Sequence, residues 1–322
     1  MRLLSDADLM EIVSYDDMLS AIERAYGIYE RGEYYMPHRF HVDHDGKNLL
    51  YMPCFADGVF GTKHLTLIPE NSKKGLPTLD GLMLLNDEET GVPLCLMDGK
   101  TLTALRTGAV GGVAIRHTTP DTVKTVGLVG AGAQGLFQMF YATRVRKFET
   151  VYVFDAYKKD LSEFIARLRA AIPEGIAVRQ AESAADLLER SDVVVTATTA
   201  TAPVLPDDAA LLRGKHFVGI GSYKPHMREF PDALYSLVDR VYVDADVALA
   251  ESGDLIQPID AGLLSADRLT RFSRYLSESD AEKDRLKSGT TFFKSVGIAI
   301  FDIVAAKLLF EAAKGRGIGR EM

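Results

Sequence analysis

The stretch Val126-Gly-Leu-Val-Gly-Ala-Gly-Ala-Gln-Gly135 constrains this chain more than any other. An apolar run enters a glycine turn and leaves through a helical pattern carrying Leu136, Phe137, Phe140 and Tyr141. Gly130, Gly132 and Gly135 have the spacing G-x-G-x-x-G. In that spacing the first glycine permits the tight turn and the second lets a pyrophosphate approach the backbone. The third lets helix pack on strand, with the helix N-terminus facing the anion. A glycine turn alone carries little weight, because such turns are common. Here a second apolar strand, Val151-Tyr-Val-Phe154, follows and ends on Asp155. An acid there accepts a ribose 2′-hydroxyl and repels a 2′-phosphate, so the stretch predicts a dinucleotide site favouring NAD over NADP.

Around this motif, strand and helix patterns alternate. Strands are predicted at 123–129, 151–154, 177–179, 193–196, 217–220 and 241–243, and helices at 133–145, 159–171, 184–189 and near 231–237. Such alternation predicts parallel strands with crossover helices, a Rossmann-type doubly wound α/β sheet. Ligands of such sheets bind past the strand C-termini, here at 130–135, Asp155, 196–199 and 219–222. The segment 251–289 gives no consistent period. A strong helical pattern covers 297–314, with Ile300, Ile303 or Val304, and Leu308 spaced for packing and Gly315 as its stop.

The first third reads differently. Ser5 and Ser14 are placed to cap two helices, and Met18, Ile22, Ala25 and Tyr29 fall on one face of the second, which Gly32 would end. The pattern then changes to period two. Residues 39–42 alternate, Asp45-Gly46 offers a hairpin turn, and further strands are predicted at 49–51, 58–68, 80–85 and 94–97. This describes a mainly antiparallel α+β region. A helix over 101–117 closes it, and Thr118-Thr-Pro-Asp121 marks a boundary.

A chain of 322 residues suits about two domains, and 47% apolar residues suffice for sizeable cores. A net charge of −8 without a basic stripe argues against nucleic acid and anionic membranes as partners. No apolar run approaches the ~18 residues of a membrane span. The first ten residues carry acids where a signal peptide needs an apolar core. Cys54 and Cys95 are isolated, which fits a reducing cytoplasm. His64, His117 and His226 share no ligand spacing, so no metal is expected.

Three cations in the first half are candidates for chemistry. Lys63 shares a period-two face with Val59, Leu65 and Leu67, and an inward lysine needs a carboxylate or a substrate to offset its desolvation. The competing reading is a bulge at Gly61 that turns Lys63 to solvent. Arg106 lies in a helix of small residues and is suited to bidentate capture of a carboxylate. Arg39 sits on an alternating strand. Asp98, Asp302 and the acidic loop near Glu88 read as solvated charges or helix caps.

Six stretches in order carry a family resemblance: Lys74-Gly-Leu-Pro-Thr78, Glu89-Thr-Gly-Val-Pro93, Leu105-Arg-Thr-Gly-Ala109, Gly127-Leu-Val-Gly-Ala-Gly-Ala-Gln134, Gly219-Ile-Gly-Ser222 and Gly297-Ile-Ala-Ile-Phe-Asp302. Together they resemble the ornithine cyclodeaminase/mu-crystallin family across nearly the whole chain. The resemblance implies a homodimer with a Rossmann domain at 118–297 and a substrate and dimerisation domain formed by 1–117 and 298–322. It implies that Lys63 and Arg106 hold a substrate carboxylate, with Lys63 serving proton transfer at the substrate nitrogen. Arg39 would be a third basic group, and Tyr223 a substrate neighbour. Thr107, Gly130, Gly132, Ala133, Gln134, Gly135, Asp155, Thr198 and Ile220 would line NAD.

Two positions depart from members that act on ornithine. A glutamate of theirs corresponds to Leu50 here, and a catalytic aspartate to Tyr223. The resemblance therefore implies NADH-dependent reduction of a small 2-imino acid to an L-amino acid, of the iminosuccinate, 2-iminopropionate or pyrroline-carboxylate type. An NAD-recycling cyclodeaminase and a non-catalytic ligand-binding protein are the rival readings. His64, Lys224, His226 and Arg228 are further basic groups that would suit a dicarboxylic substrate.

Overall fold

The computed structural model describes residues 1–322, the side chain of Ser72 apart. The chain divides into two compact units, one formed by Met1–Arg106 with Gly297–Met322 and the other by Thr107–Val296. The chain passes from one to the other inside a helix, between Arg106 and Thr107, rather than at the Thr118-Thr-Pro-Asp121 break.

The first unit opens with β1 (Arg2–Leu4), α1 (Asp6–Ile12) and α2 (Tyr15–Arg31). Ser5 and Asp8 form a reciprocal capping box, and Ser14 caps α2. Met18, Ile22, Ala25 and Tyr29 are all buried, as their spacing requires. There follow β2 (Tyr34–Tyr35), β3 (Phe40–His44), β4 (Lys47–Ala56), β5 (Val59–Leu67), β6 (Leu79–Asp87) and β7 (Pro93–Asp98). Strands β3 to β7 pair antiparallel in chain order, and β1 lies parallel to β7.

A helix, α3 (Gly99–Thr118), carries the chain across the unit boundary. The second unit then alternates as expected: β8 (Thr125–Val129), α4 (Ala133–Val145), β9 (Thr150–Phe154), α5 (Ser162–Ala171), β10 (Ala177–Gln180), α6 (Ala184–Arg190) and β11 (Val193–Thr196). Next come α7 (Ala209–Leu212), β12 (His216–Gly219), α8 (Asp232–Tyr235) and β13 (Val238–Val243). The segment without a clear period holds α9 (Ala248–Glu251), α10 (Gly253–Asp260), β14 (Leu269–Arg271), α11 (Phe272–Leu276) and α12 (Asp280–Lys287).

A strand not anticipated from sequence, β15 (Thr290–Lys294), follows. It lies inside the sheet, whose order is β10-β9-β8-β11-β12-β15-β13-β14 with every pairing parallel. Its five residues end on Lys294, which is fully buried.

The chain returns to the first unit through α13 (Ala299–Arg316), and β16 (Arg320–Glu321) pairs with β1. Helix α13 packs on α2, β4 and β5, with Phe301 edge-on to Tyr26 at 4.8 Å between centroids. It runs through Gly315, and the residue that stops it is Gly317, in the left-handed conformation at φ +68°. Residues 299–306 are buried without interruption, so the helix lies sunk in the core rather than on a surface.

The first unit's sheet thus has two unlike faces. One carries Met52, Lys63 and Met83, cross-strand neighbours that are all buried. The other carries a row of cross-strand neighbours, Phe40, Tyr51, His64 and Leu82, in which the three apolar members are 61%, 39% and 47% exposed. Among the described residues no helix is long and apolar enough to cross a membrane.

Candidate functional site

The glycine turn of the second unit separates the three roles predicted for it. Gly130 has φ +106°, and a Cβ there would lie 2.6 Å from the Ala197 carbonyl oxygen. At Gly135 a Cβ would lie 2.3 Å from the Gly130 oxygen, so this glycine is needed for helix–strand packing. At Gly132 a Cβ would meet nothing within 4 Å. That position is open, as backbone approached by a pyrophosphate must be. Gly132 is also the N-cap of α4 and supplies no side-chain cap, so no side chain competes for the amides of the first turn, which begins at Ala133.

Asp155 directly follows β9. One carboxylate oxygen accepts from the Ala131 amide at 2.9 Å, and the other from the Tyr157 and Lys158 amides at 3.0 and 3.1 Å. The acid thereby fixes the turn's shape, and Oδ2, which accepts a single bond, keeps a lone pair that would suit a ribose hydroxyl. Gln134 Oε1 and Thr107 Oγ1 are buried without a hydrogen-bond partner. The Thr107 carbonyl accepts from Gln138 Nε2 at 2.8 Å. Thr198 and the half-buried Ile220 follow β11 and β12, and the Ile220 amide bonds the Thr196 carbonyl at 2.9 Å. Two orphaned polar atoms, an uncapped helix start and an open glycine together fit a bound dinucleotide.

The first unit brings the three predicted cations into one constellation. Lys63 is buried on β5, whose alternation of buried and half-buried residues runs unbroken through Gly61. Gly61 pairs with Cys54 and with Leu85 in continuous register, so there is no bulge. The position needs glycine because a Cβ would lie 2.0 Å from the Leu84 carbonyl oxygen. Arg106 on α3 is 5% exposed.

Asp302 joins these two cations. Its Oδ1 lies 2.6 Å from Lys63 Nζ and 2.8 Å from Arg106 Nε. The reading of Asp302 as a solvated charge or cap is therefore corrected: the residue is fully buried, and on a helix enclosed on all sides a carboxylate persists only when paired. Asp98, by contrast, does bond the Thr101 amide at the start of α3.

Gly297 completes the constellation. Its carbonyl accepts a short bond from the Arg39 guanidinium. It has φ +71°, and a Cβ there would lie 2.6 Å from an Arg106 guanidinium nitrogen. Burial, and next the Arg106 charge, pull the Lys63 ammonium down to about 7, with Asp302 opposing both. Three cations around one carboxylate leave an excess of positive charge, which an incoming carboxylate would offset. Asp302 Oδ2 is buried and accepts no hydrogen bond.

Of the other predicted groups, only His64 belongs to the same unit as this cluster. His64 lies on the opposite sheet face from Lys63, stacked on Tyr51 at 4.8 Å. Arg228 is ion-paired with Asp232. His226 is exposed, and Tyr223 and Lys224 are half-buried, all in the second unit. Leu50 pairs with Leu65 on the Lys63 face of the sheet, so that face is apolar where an acid would stand in ornithine-acting members.

These features define a protein with a dinucleotide-binding, Rossmann-type sheet in its second unit and a buried cluster of cations around one carboxylate in its first. Residues 1–317 match the model of the ornithine cyclodeaminase/mu-crystallin family, and the chain belongs to that family. It is 34% identical over 279 residues to the Delta(1)-pyrroline-2-carboxylate reductase of Bacillus cereus (strain ZK / E33L), covering 85% of this chain and 84% of that one. The structure of Thermococcus litoralis Delta(1)-pyrroline-2-carboxylate reductase in complex with NADH and L-proline superposes with a TM-score of 0.91 at 32% identity, covering all of both chains. An archaeal alanine dehydrogenase dimer with bound NAD superposes with a TM-score of 0.89 at 28% identity, covering 100% of this chain and 98% of that one.

Proposed function

We propose that this protein is an NAD-dependent oxidoreductase that reduces the C=N bond of a small 2-imino acid, with pyrroline-2-carboxylate the first substrate to test. The observation that carries the reading is the Lys63–Asp302–Arg106 cluster, two buried cations sharing one carboxylate oxygen. The similarity to pyrroline-2-carboxylate reductases, one of them solved with NADH and L-proline, supports the same reading. Bound NADH would supply the hydride to the imine carbon. Arg106 and Arg39 would hold the substrate carboxylate, Arg106 with the part of its fork that Asp302 leaves free. Lys63, with an ammonium that titrates near neutrality, would give its proton to the imine nitrogen, so that hydride and proton together make the secondary amine. Gly132, Ala133, Gln134, Gly135, Asp155, Thr107, Thr198 and Ile220 would line the dinucleotide, with Gly130 making its turn.

Leu50 and Tyr223 supply no acid at the two cyclodeaminase positions, which favours reduction over amine activation. The exposed row of Phe40, Tyr51 and Leu82 is read as the subunit contact of a homodimer, since apolar patches of that kind mark interfaces. The archaeal neighbour is itself a dimer.

The test is NADH oxidation with pyrroline-2-carboxylate, with pyruvate plus ammonia, and with oxaloacetate plus ammonia. Turnover on the cyclic imine is expected. Tight NADH binding without turnover on any 2-oxo or 2-imino acid would replace this reading with the ligand-binding one.

A further inference from the structure

The second unit encloses a group of charges that the dinucleotide motif does not use. Lys294 ends β15, Glu229 precedes α8 and Asp254 lies on α10, and all three side chains are 0% exposed. Lys294 Nζ stands 3.5 Å from Asp254 Oδ2 and 3.9 Å from Glu229 Oε2. Burying three charges is costly unless each is matched, so their placement calls for a reason.

The hydrogen bonds of Glu229 supply it. Oε1 accepts from the Thr198 amide and the Thr198 hydroxyl, each at 2.8 Å. Oε2 accepts from the Gly221 amide at 2.7 Å and the Ser222 amide at 3.3 Å. One carboxylate therefore clips the loop after β11 to the loop after β12. The loops are in close contact: a Cβ on Gly221 would lie 2.1 Å from the Thr198 carbonyl oxygen. Asp254 Oδ1 in turn fixes the Glu229 and Phe230 amides at 2.7 and 3.1 Å. Lys294 stands between the two acids as their shared counter-charge. Only a carboxylate can accept on both oxygens in this way; a glutamine would set its NH₂ against donors on one of the two loops.

The sheet order tells which part of the ligand these loops serve. Strands β9 and β10 lie on one side of β8, and β11 and β12 on the other. A doubly wound sheet binds one mononucleotide half on each side of that switch point. The glycine turn and Asp155 belong to the first half. Thr198 and Ile220 belong to the second, where the nicotinamide lies.

We infer that Glu229, held by Lys294 and Asp254, is a positioning residue for the nicotinamide half of the dinucleotide and leaves the adenosine half untouched. The inference rests on dinucleotide binding alone and is independent of which imine is reduced.

The experiment compares two ligands on the full-length protein: NADH, and ADP, which lacks the nicotinamide and its ribose. Glu229→Gln is expected to raise the Kd for NADH about tenfold or more, as loss of charge-assisted bonds does, with the Kd for ADP within about twofold of wild type. A general loosening of the unit would weaken both ligands alike, and that result would overturn the inference, as would wild-type affinity for both. Should Glu229→Gln fail to fold, Glu229→Asp keeps the charge that Lys294 matches and draws the carboxylate one methylene back from the Thr198 and Gly221 amides. It is expected to show the same split between ligands, and a folded Glu229→Asp variant that binds NADH as wild type does would overturn the inference. Wild-type protein that binds neither ligand would overturn the dinucleotide reading along with it, whereas NADH binding without imine turnover would sink only the proposed reaction.

Discussion

Replacing Asp302 by asparagine removes the single anion of the first unit's cluster while keeping its shape. In the native protein Asp302 holds the Lys63 ammonium up against burial and against Arg106, with the balance at about 7. An opposite charge this close, 2.6 Å from Nζ, shifts a pKa by about one to three units, so the variant's lysine should titrate at about 4 to 6. The sign follows from the role proposed for Lys63. Reduction needs its protonated form, so kcat/KM falls on the alkaline side of its pKa, and lowering that pKa moves the alkaline limb toward acid. At pH ~7 the protonated fraction drops from about one half to between about a tenth and a thousandth, a loss of about 5- to 500-fold in kcat/KM. The assay is NADH oxidation with pyrroline-2-carboxylate from about pH 5 to about pH 9, since kcat/KM reports the free enzyme's groups. The substrate's own titration is common to both proteins, so the difference between the profiles isolates the enzyme. Arg106, left without its acid, should also lower folding stability by about 3–5 kcal/mol, which a urea titration measures. A folded variant whose alkaline limb coincides with that of wild type would refute the reasoning.

Three further changes probe the two units separately. Arg106→Lys keeps the charge but loses the planar fork, and should raise KM for the imino acid about tenfold while NADH titration is unaltered; an unchanged KM would remove Arg106 from carboxylate binding. Gly132→Ala should leave stability within about 0.5 kcal/mol, because its Cβ meets nothing, yet weaken NADH binding. Gly135→Ala should instead cost about 1–3 kcal/mol of stability through the 2.3 Å clash with the Gly130 oxygen, and paired urea and NADH titrations giving the reverse order would contradict both assignments. Asp155→Ser should narrow the preference for NADH over NADPH by about tenfold, equivalent to ~1.4 kcal/mol of relieved repulsion; discrimination that stays at the wild-type ratio would take Asp155 out of cofactor choice.

The glycine turn was legible in sequence because each of its glycines answers a local steric demand. Lys63 was legible because a period of two on a paired strand puts it on the face of Leu65. What escaped was every acid whose partner is distant in sequence. Asp302 bonds Lys63 across 239 positions, and no local pattern records that. The helix around it did carry a signal: Ala299, Ile300, Phe301, Ile303, Val304, Ala305 and Ala306 leave no polar face for an aspartate to occupy. Lys294 was hidden in the same way, at the end of a five-residue strand with apolar cover on both faces of the sheet. The stop of the last helix shows the limit of composition alone. Gly315 and Gly317 are equally plausible in sequence, and the left-handed turn forms at the second.

The pairing of Arg106 with Asp302 also bears on the order in which the protein is made. These residues are 196 positions apart, and a ribosome adding about 5–20 residues per second separates them by about 10–40 s. Throughout that interval the nascent sheet holds two cations destined for burial with no acid to match them, and α13, which covers β4 and β5, has yet to be synthesised. The second unit, drawn from the uninterrupted segment Thr107–Val296, has all its strands in hand earlier. The portion translated first is therefore the one that matures last, and its exposed face must be kept from aggregation until the closing helix leaves the ribosome.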